Sequence, residues 1–70
     1  MINIFGKRLK ELREDNNLSM KKLSEKLNIG IASISRWEKG LTIVNGDQLI
    51  IFAKFFNVTT DYLLGLTESY

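Results

Sequence analysis

Asparagine and glycine punctuate this chain so often that no regular element in it can be long. Proline is absent, and the glycines stand singly at Gly6, Gly30, Gly40, Gly46 and Gly65, interspersed with asparagines such as Asn16, Asn17, Asn28 and Asn57. Both residue types enter the left-handed backbone region that ends a helix, so breaks are expected near the glycines and at the asparagines. Between the breaks the apolar residues recur with helical spacing rather than in strict alternation. The chain is therefore expected to be all-α, without a sheet.

In the first segment Phe5, Leu9 and Leu12 recur at i, i+4 and i+7 among Lys7, Arg8, Lys10, Glu11, Arg13 and Glu14, the pattern of an amphipathic helix that stops at Asp15-Asn16-Asn17. Ser19 is placed to cap a short second helix with Leu23 and Leu27 on its buried face, and Asn28 to reverse the chain sharply after it. A third helix begins near Gly30, turns Ile34 and Trp37 inward and ends at Gly40 with an expected left-handed cap. After a loop over 41–45, the segment Asp47 to Phe56 carries Leu49, Phe52, Ala53 and Phe56 at helical spacing. Asn57-Val58 forms a turn, Thr59 caps a short fifth helix over 61–65, and Asp61 suits the positive end of its dipole. Residues 66–70 are expected as a loose tail.

Seventy residues make one domain, 1–70, and a domain this size buries only about 60% of its unfolded surface, so its core must be economical. Without cysteine there is no disulfide framework or thiolate metal site, and without histidine the usual zinc ligand and general base are missing. No clustered carboxylates or phosphate-cradling glycine loop replace them, so an enzyme is not expected, nor a cofactor, a metal site or a small-molecule ligand. No apolar run approaches the roughly 20 residues that span a bilayer, and the run from Met1 to Arg8 lacks a signal peptide's order of regions. The expectation is a cytoplasmic protein without a membrane partner. The net charge is only +2, yet residues 1–40 hold nine Lys and Arg against five Asp and Glu, and residues 41–70 hold one against three. One half is basic and the other acidic, which fits either a nucleic-acid face or an ordinary solvated charged surface.

Two short helices joined by about three residues, the second closing on glycine, form a helix-turn-helix, a motif whose second helix lies in the DNA major groove. Ser24 must be small where the two helices cross, while Leu23, Leu27, Ile29, Ile34 and Trp37 fill the wedge beneath. Burying that face turns Ile31, Ala32, Ser35 and Arg36 outward.

The run from Leu18-Ser19-Met20 through Leu23-Ser24, Leu27-Asn28-Ile29-Gly30 and Ile34-Ser35-Arg36-Trp37-Glu38-Lys39-Gly40 resembles the phage repressor and Cro-like (XRE) helix-turn-helix family. The similarity continues in Asp47, Leu49, Ala53-Lys54, Asn57-Val58-Thr59 and Tyr62-Leu63-Leu64-Gly65, and so covers roughly residues 5–65. It implies a compact five-helix bundle of the lambda-repressor-like type. Position by position, it pairs Arg13 with Glu38, tying helix 1 to the end of the recognition helix. Ile31, Ala32, Ser35 and Arg36 match base-reading positions, with Arg36 suited to guanine O6 and N7 and Ile31 and Ala32 to thymine methyls. Ser19, Ser33 and Lys39 match backbone-holding positions, and Lys21 and Lys22 would add diffuse attraction to phosphate.

Three departures from the family pattern matter. Met20 stands where glutamine is usual, and the loop after Gly40 is Leu41-Thr42-Ile43-Val44 where a basic loop followed by proline is usual. Both thin the phosphate contacts. Helix 4 also carries an extra apolar pair, Ile51 and Phe55, which with Ile43 and Val44 is a candidate dimer surface, the alternative being that the core absorbs Phe55. The function so implied is a transcriptional regulator, most simply a repressor, binding double-stranded DNA at a palindromic operator as a homodimer. The competing reading is a protein-interaction module of antitoxin or anti-repressor type on the same scaffold.

Overall fold

The computed structural model describes residues 4–70; Met1, Ile2 and Asn3, which open the run without signal-peptide regions, lie outside the described residues. Five helices follow one another: α1 (Ile4–Asp15), α2 (Met20–Leu27), α3 (Ile31–Glu38), α4 (Gly46–Phe56) and α5 (Thr60–Leu63). Among the described residues there is no strand, as the helical spacing of the apolar residues predicts.

All five helices end in the same way. Asn17, Asn28, Gly40, Asn57 and Gly65 each take a positive φ, between 54° and 80°. The amide that follows each one reaches back five residues, Leu18 to Arg13, Ile29 to Ser24, Leu41 to Arg36, Val58 to Ala53 and Leu66 to Asp61, at 2.9–3.2 Å. Each reversal thus satisfies carbonyls that a helix end would leave orphaned. The beginnings are secured as locally. Ser19, Asn45 and Thr59 accept side-chain hydrogen bonds from the amides of Lys22, Gln48 and Tyr62, and the Asn45 cap lets α4 start at Gly46 rather than Asp47.

The core is built from one apolar stripe per helix: Phe5, Leu9 and Leu12 of α1, Leu23 of α2, Ile34 and Trp37 of α3, Phe52 and Ala53 of α4, Tyr62 and Leu63 of α5. Phe5, Trp37 and Phe52 form its aromatic centre, with ring centroids 5.5–6.3 Å apart and both contacts of Trp37 edge-on. This trio joins α1, α3 and α4 and places the favourable quadrupole geometry where three helices meet.

Two sequence expectations change here. Gly6 does not break the first helix; it lies inside α1, where a Cβ would come within 2.1 Å of the Trp37 carbonyl oxygen. It is glycine because α1 crosses the last turn of α3 at backbone contact. The second change is at the C-terminal end. The Arg8 guanidinium donates to the carbonyls of Tyr62 at 2.6 Å and Thr67 at 2.7 Å, pairs with Glu68 at 3.2 Å, and lies 4.1 Å from the centre of the Tyr62 ring, which also stacks on Tyr70. Residues 67–70, expected as part of a loose tail, are thereby laid against α1 and α5. The two carbonyl contacts carry the attachment, because Glu68 is almost fully exposed and its ion pair adds little.

Gly6→Ala tests the crossing by the sign of its effect. At an open helical site the substitution stabilises by about 0.5–1 kcal/mol. Here the methyl meets backbone that no rotamer change can clear, so urea unfolding should show a loss of about 1–3 kcal/mol.

Candidate nucleic-acid interface

The turn between α2 and α3 is only Asn28, Ile29 and Gly30, with Asn28 at φ 54° supplying the reversal. Ser24 does more there than stay small. Its hydroxyl donates to the Ile29 carbonyl at 2.5 Å, fixing the turn to the helix that precedes it. Leu23 and Ile34 are fully buried beneath the crossing and Trp37 nearly so, while Leu27 and Ile29 pack half-buried at its edge.

Burying Ile34 and Trp37 decides what α3 shows to solvent. Ile31, Ala32 and Arg36 are exposed; Ser33 and Ser35 are half-buried on the flanks. The outward face therefore has an apolar N-terminal end, a small hydroxyl in the middle and one guanidinium near its C-terminal end. Lys39 is exposed just beyond the helix, and Ser19, Lys21 and Lys22 are exposed at the start of α2. With Asn17 and Glu25, the last three line an open depression of about 370 Å³. The Ser19 oxygen already accepts the Lys22 amide, which leaves its hydroxyl proton to donate.

Arg13 and Glu38 meet in a two-pronged pair: Nε to Oε2 at 2.7 Å and Nη2 to Oε1 at 3.0 Å. The third arm of Arg13, Nη1, donates to the Leu18 carbonyl at 2.8 Å, directly before the cap of α2. One guanidinium thus joins α1, the entry to α2 and the end of α3. Its charged form is favoured above the ordinary arginine value, first by the hydrogen bonds to Glu38 and further by the charges of Glu38 and Glu14, against an opposing effect of burial. The side chains of the pair are only 10% and 3% exposed, so it belongs to the interior, where planar bidentate geometry matters most.

On α4, Ile51 and Phe55 are 41% and 38% exposed, and the Phe55 ring packs edge-on against Phe56 at 4.9 Å. Phe55 therefore keeps an open face. In the preceding loop Ile43 is 88% exposed, whereas Val44 is packed against the core and leaves the candidate surface. Ile50 is also exposed, but its helical position puts it on the other flank of α4 from Ile51 and Phe55. Met20 packs half-buried against the core, so its side chain is drawn inward from the start of α2. Among the described residues no group of three or more metal-ligating side chains comes together, and no helix is long and apolar enough to cross a membrane.

The sequence profile described as helix-turn-helix matches residues 9–63, which takes in the buried pair, the short turn and the outward face of α3 together. The chain belongs to the XRE-type helix-turn-helix family. It is 43% identical over 64 residues to the HTH-type transcriptional regulator ImmR of Bacillus subtilis, 91% of this chain and 50% of that protein. It is 40% identical over 64 residues to the HTH-type transcriptional activator BcrR of Enterococcus faecalis, 91% of this chain and 31% of that protein. A third similar protein, the uncharacterized HTH-type transcriptional regulator YobD of Bacillus subtilis, is 35% identical over 65 residues, 93% of this chain and 58% of that protein. The chain spans between about a third and somewhat over half the length of these relatives.

Removing one partner of the Arg13–Glu38 pair leaves the other charged in the interior. Arg13→Ala and Glu38→Ala should each lower the unfolding free energy by about 3–5 kcal/mol in urea titrations. Arg13→Met with Glu38→Leu should recover most of that loss, because no buried charge remains.

Proposed function

We propose that the protein is a DNA-binding transcriptional regulator whose α3 enters the major groove. The observation that carries this reading is the two-sided construction of α3: Ile34 and Trp37 are buried, Arg13 holds its far end through Glu38, and Ile31, Ala32 and Arg36 face outward on a rigid support. Such a face reads base edges, with Arg36 as the guanine-binding fork and Ser35 beside it. Ser19, Lys21, Lys22, Ser33 and Lys39 flank it as backbone contacts. The naming of ImmR, BcrR and YobD as regulators of transcription supports the same reading.

The regulator acts as a homodimer on a palindromic operator, in the cytoplasm, and most simply as a repressor that occupies a promoter. Three features support the dimer. Met20 is packed inward, the loop after Gly40 is apolar, and Ile51 and Phe55 are exposed on one flank of α4, with Ile43 exposed in the loop before it. A monomer with few phosphate contacts binds weakly, and a two-fold pair joined through that apolar surface doubles the contacts.

Selection from a random duplex pool tests the proposal. It should enrich an inverted repeat with half-sites about 34 Å, or one helical turn, apart. Arg36→Ala should weaken the selected site by about 5- to 150-fold and relax the preference at one base pair. Phe55→Glu should leave the fold intact by circular dichroism while removing cooperative binding and the dimer in sedimentation. Enrichment of no sequence, with Phe55→Glu instead abolishing capture of another protein, would favour the interaction-module reading.

A further inference from the structure

Gly30, which caps α3, has no side chain; Ile31 is 48% exposed, Ala32 is exposed and Ser33 is half-buried. The N-terminal end of the outward face therefore offers carbon where a base-reading helix usually offers donors and acceptors. The first long polar side chain on that face is Arg36. In the major groove the bases present amino groups, ring nitrogens and carbonyl oxygens, and one apolar group, the methyl on C5 of thymine. Setting Ile31 against any of the polar edges would strip water from it and return no hydrogen bond. Only a C5-methyl group is stabilised there by being covered.

We infer that Ile31 and Ala32 form a reader of pyrimidine C5-methyl groups, so that 5-methylcytosine can stand in for thymine at the same position. The inference rests on the reading of α3 as the groove helix. Both pyrimidines carry the methyl at the same ring atom, and both present it to the major groove. What separates the two base pairs is an exchange of amine and carbonyl, at C4 of the pyrimidine and at C6 of the purine paired with it, and the side chains of Ile31 and Ala32 have no polar atom to distinguish them. Arg36 fixes where the methyl falls. Five residues of helix rise about 7.5 Å, or about two base-pair steps of 3.4 Å, so the methylated pyrimidine lies about two base pairs from the guanine that Arg36 holds.

The test uses the full chain and the site it selects from random DNA. Each thymine is replaced singly by uracil, which deletes only the methyl. One or two thymines about two base pairs from the Arg36-dependent guanine should then lose about fourfold in affinity, the effect of one buried methyl. Cytosine at that position should bind weakly and 5-methylcytosine should recover the same factor. In Ile31→Ser, which alters an exposed side chain and should melt like the parent, thymine and uracil should bind alike at one of those positions at least. Uracil substitutions that are silent throughout, a loss equal in the parent and in Ile31→Ser, or 5-methylcytosine no better than cytosine would each overturn the assignment. An Arg36-dependent site with silent methyls would overturn it alone, whereas indifference to Arg36→Ala would overturn the placement of α3 as well.

Discussion

The last turn of α3 is held by α1 at two points, and the rest of the structure depends on that hold. Gly6 lets the α1 backbone approach the Trp37 carbonyl, and two turns further on Arg13 reaches the Glu38 carboxylate from the same face of the helix. The first contact sets how close the two helices are; the second sets how far α3 can slide or rotate. Because Trp37 is at once a core residue, packed on Phe5 and Phe52, and the backbone that Gly6 meets, a shift of α1 would be felt through the aromatic centre as well as at the end of α3. An outward face that reads base edges must be positioned closely, and a helix of eight residues cannot position itself.

Much of this was legible in the sequence because it is encoded locally. The left-handed positions of Asn28 and Gly40 and the caps at Ser19 and Thr59 are properties of a few adjacent residues, and a buried stripe at helical spacing fixes the opposite face automatically. The burial of Ile34 and Trp37 and the exposure of Ile31, Ala32 and Arg36 follow from periodicity alone. Arg13 and Glu38 are 25 residues apart, beyond the reach of any local pattern, and only the family resemblance brings them together.

What was not legible depends on distance between elements. A glycine reads as a break unless something shows that another backbone passes over it, so Gly6 does not stand out as the point where α1 crosses α3. Its position one turn before Leu9, on the side of α1 that also carries Arg13, is the signal that favours a close approach over a break. Arg8 reads as one more solvated charge between apolar residues, yet its guanidinium gathers the carbonyls of Tyr62 and Thr67, far along the chain. Val44 reads as part of an exposed apolar loop because periodicity fails in loops, and only the fold separates it from Ile43.

The central claim, that the rigidly seated outward face of α3 is the surface that meets DNA, is tested most directly by nitrogen-15 amide shifts during titration with a selected duplex. The largest changes are expected along residues 31–36 and at the start of α2, with the Phe5, Trp37 and Phe52 centre nearly unchanged. Changes concentrated on α4 and the loop over 41–44, with residues 31–36 silent, would contradict it.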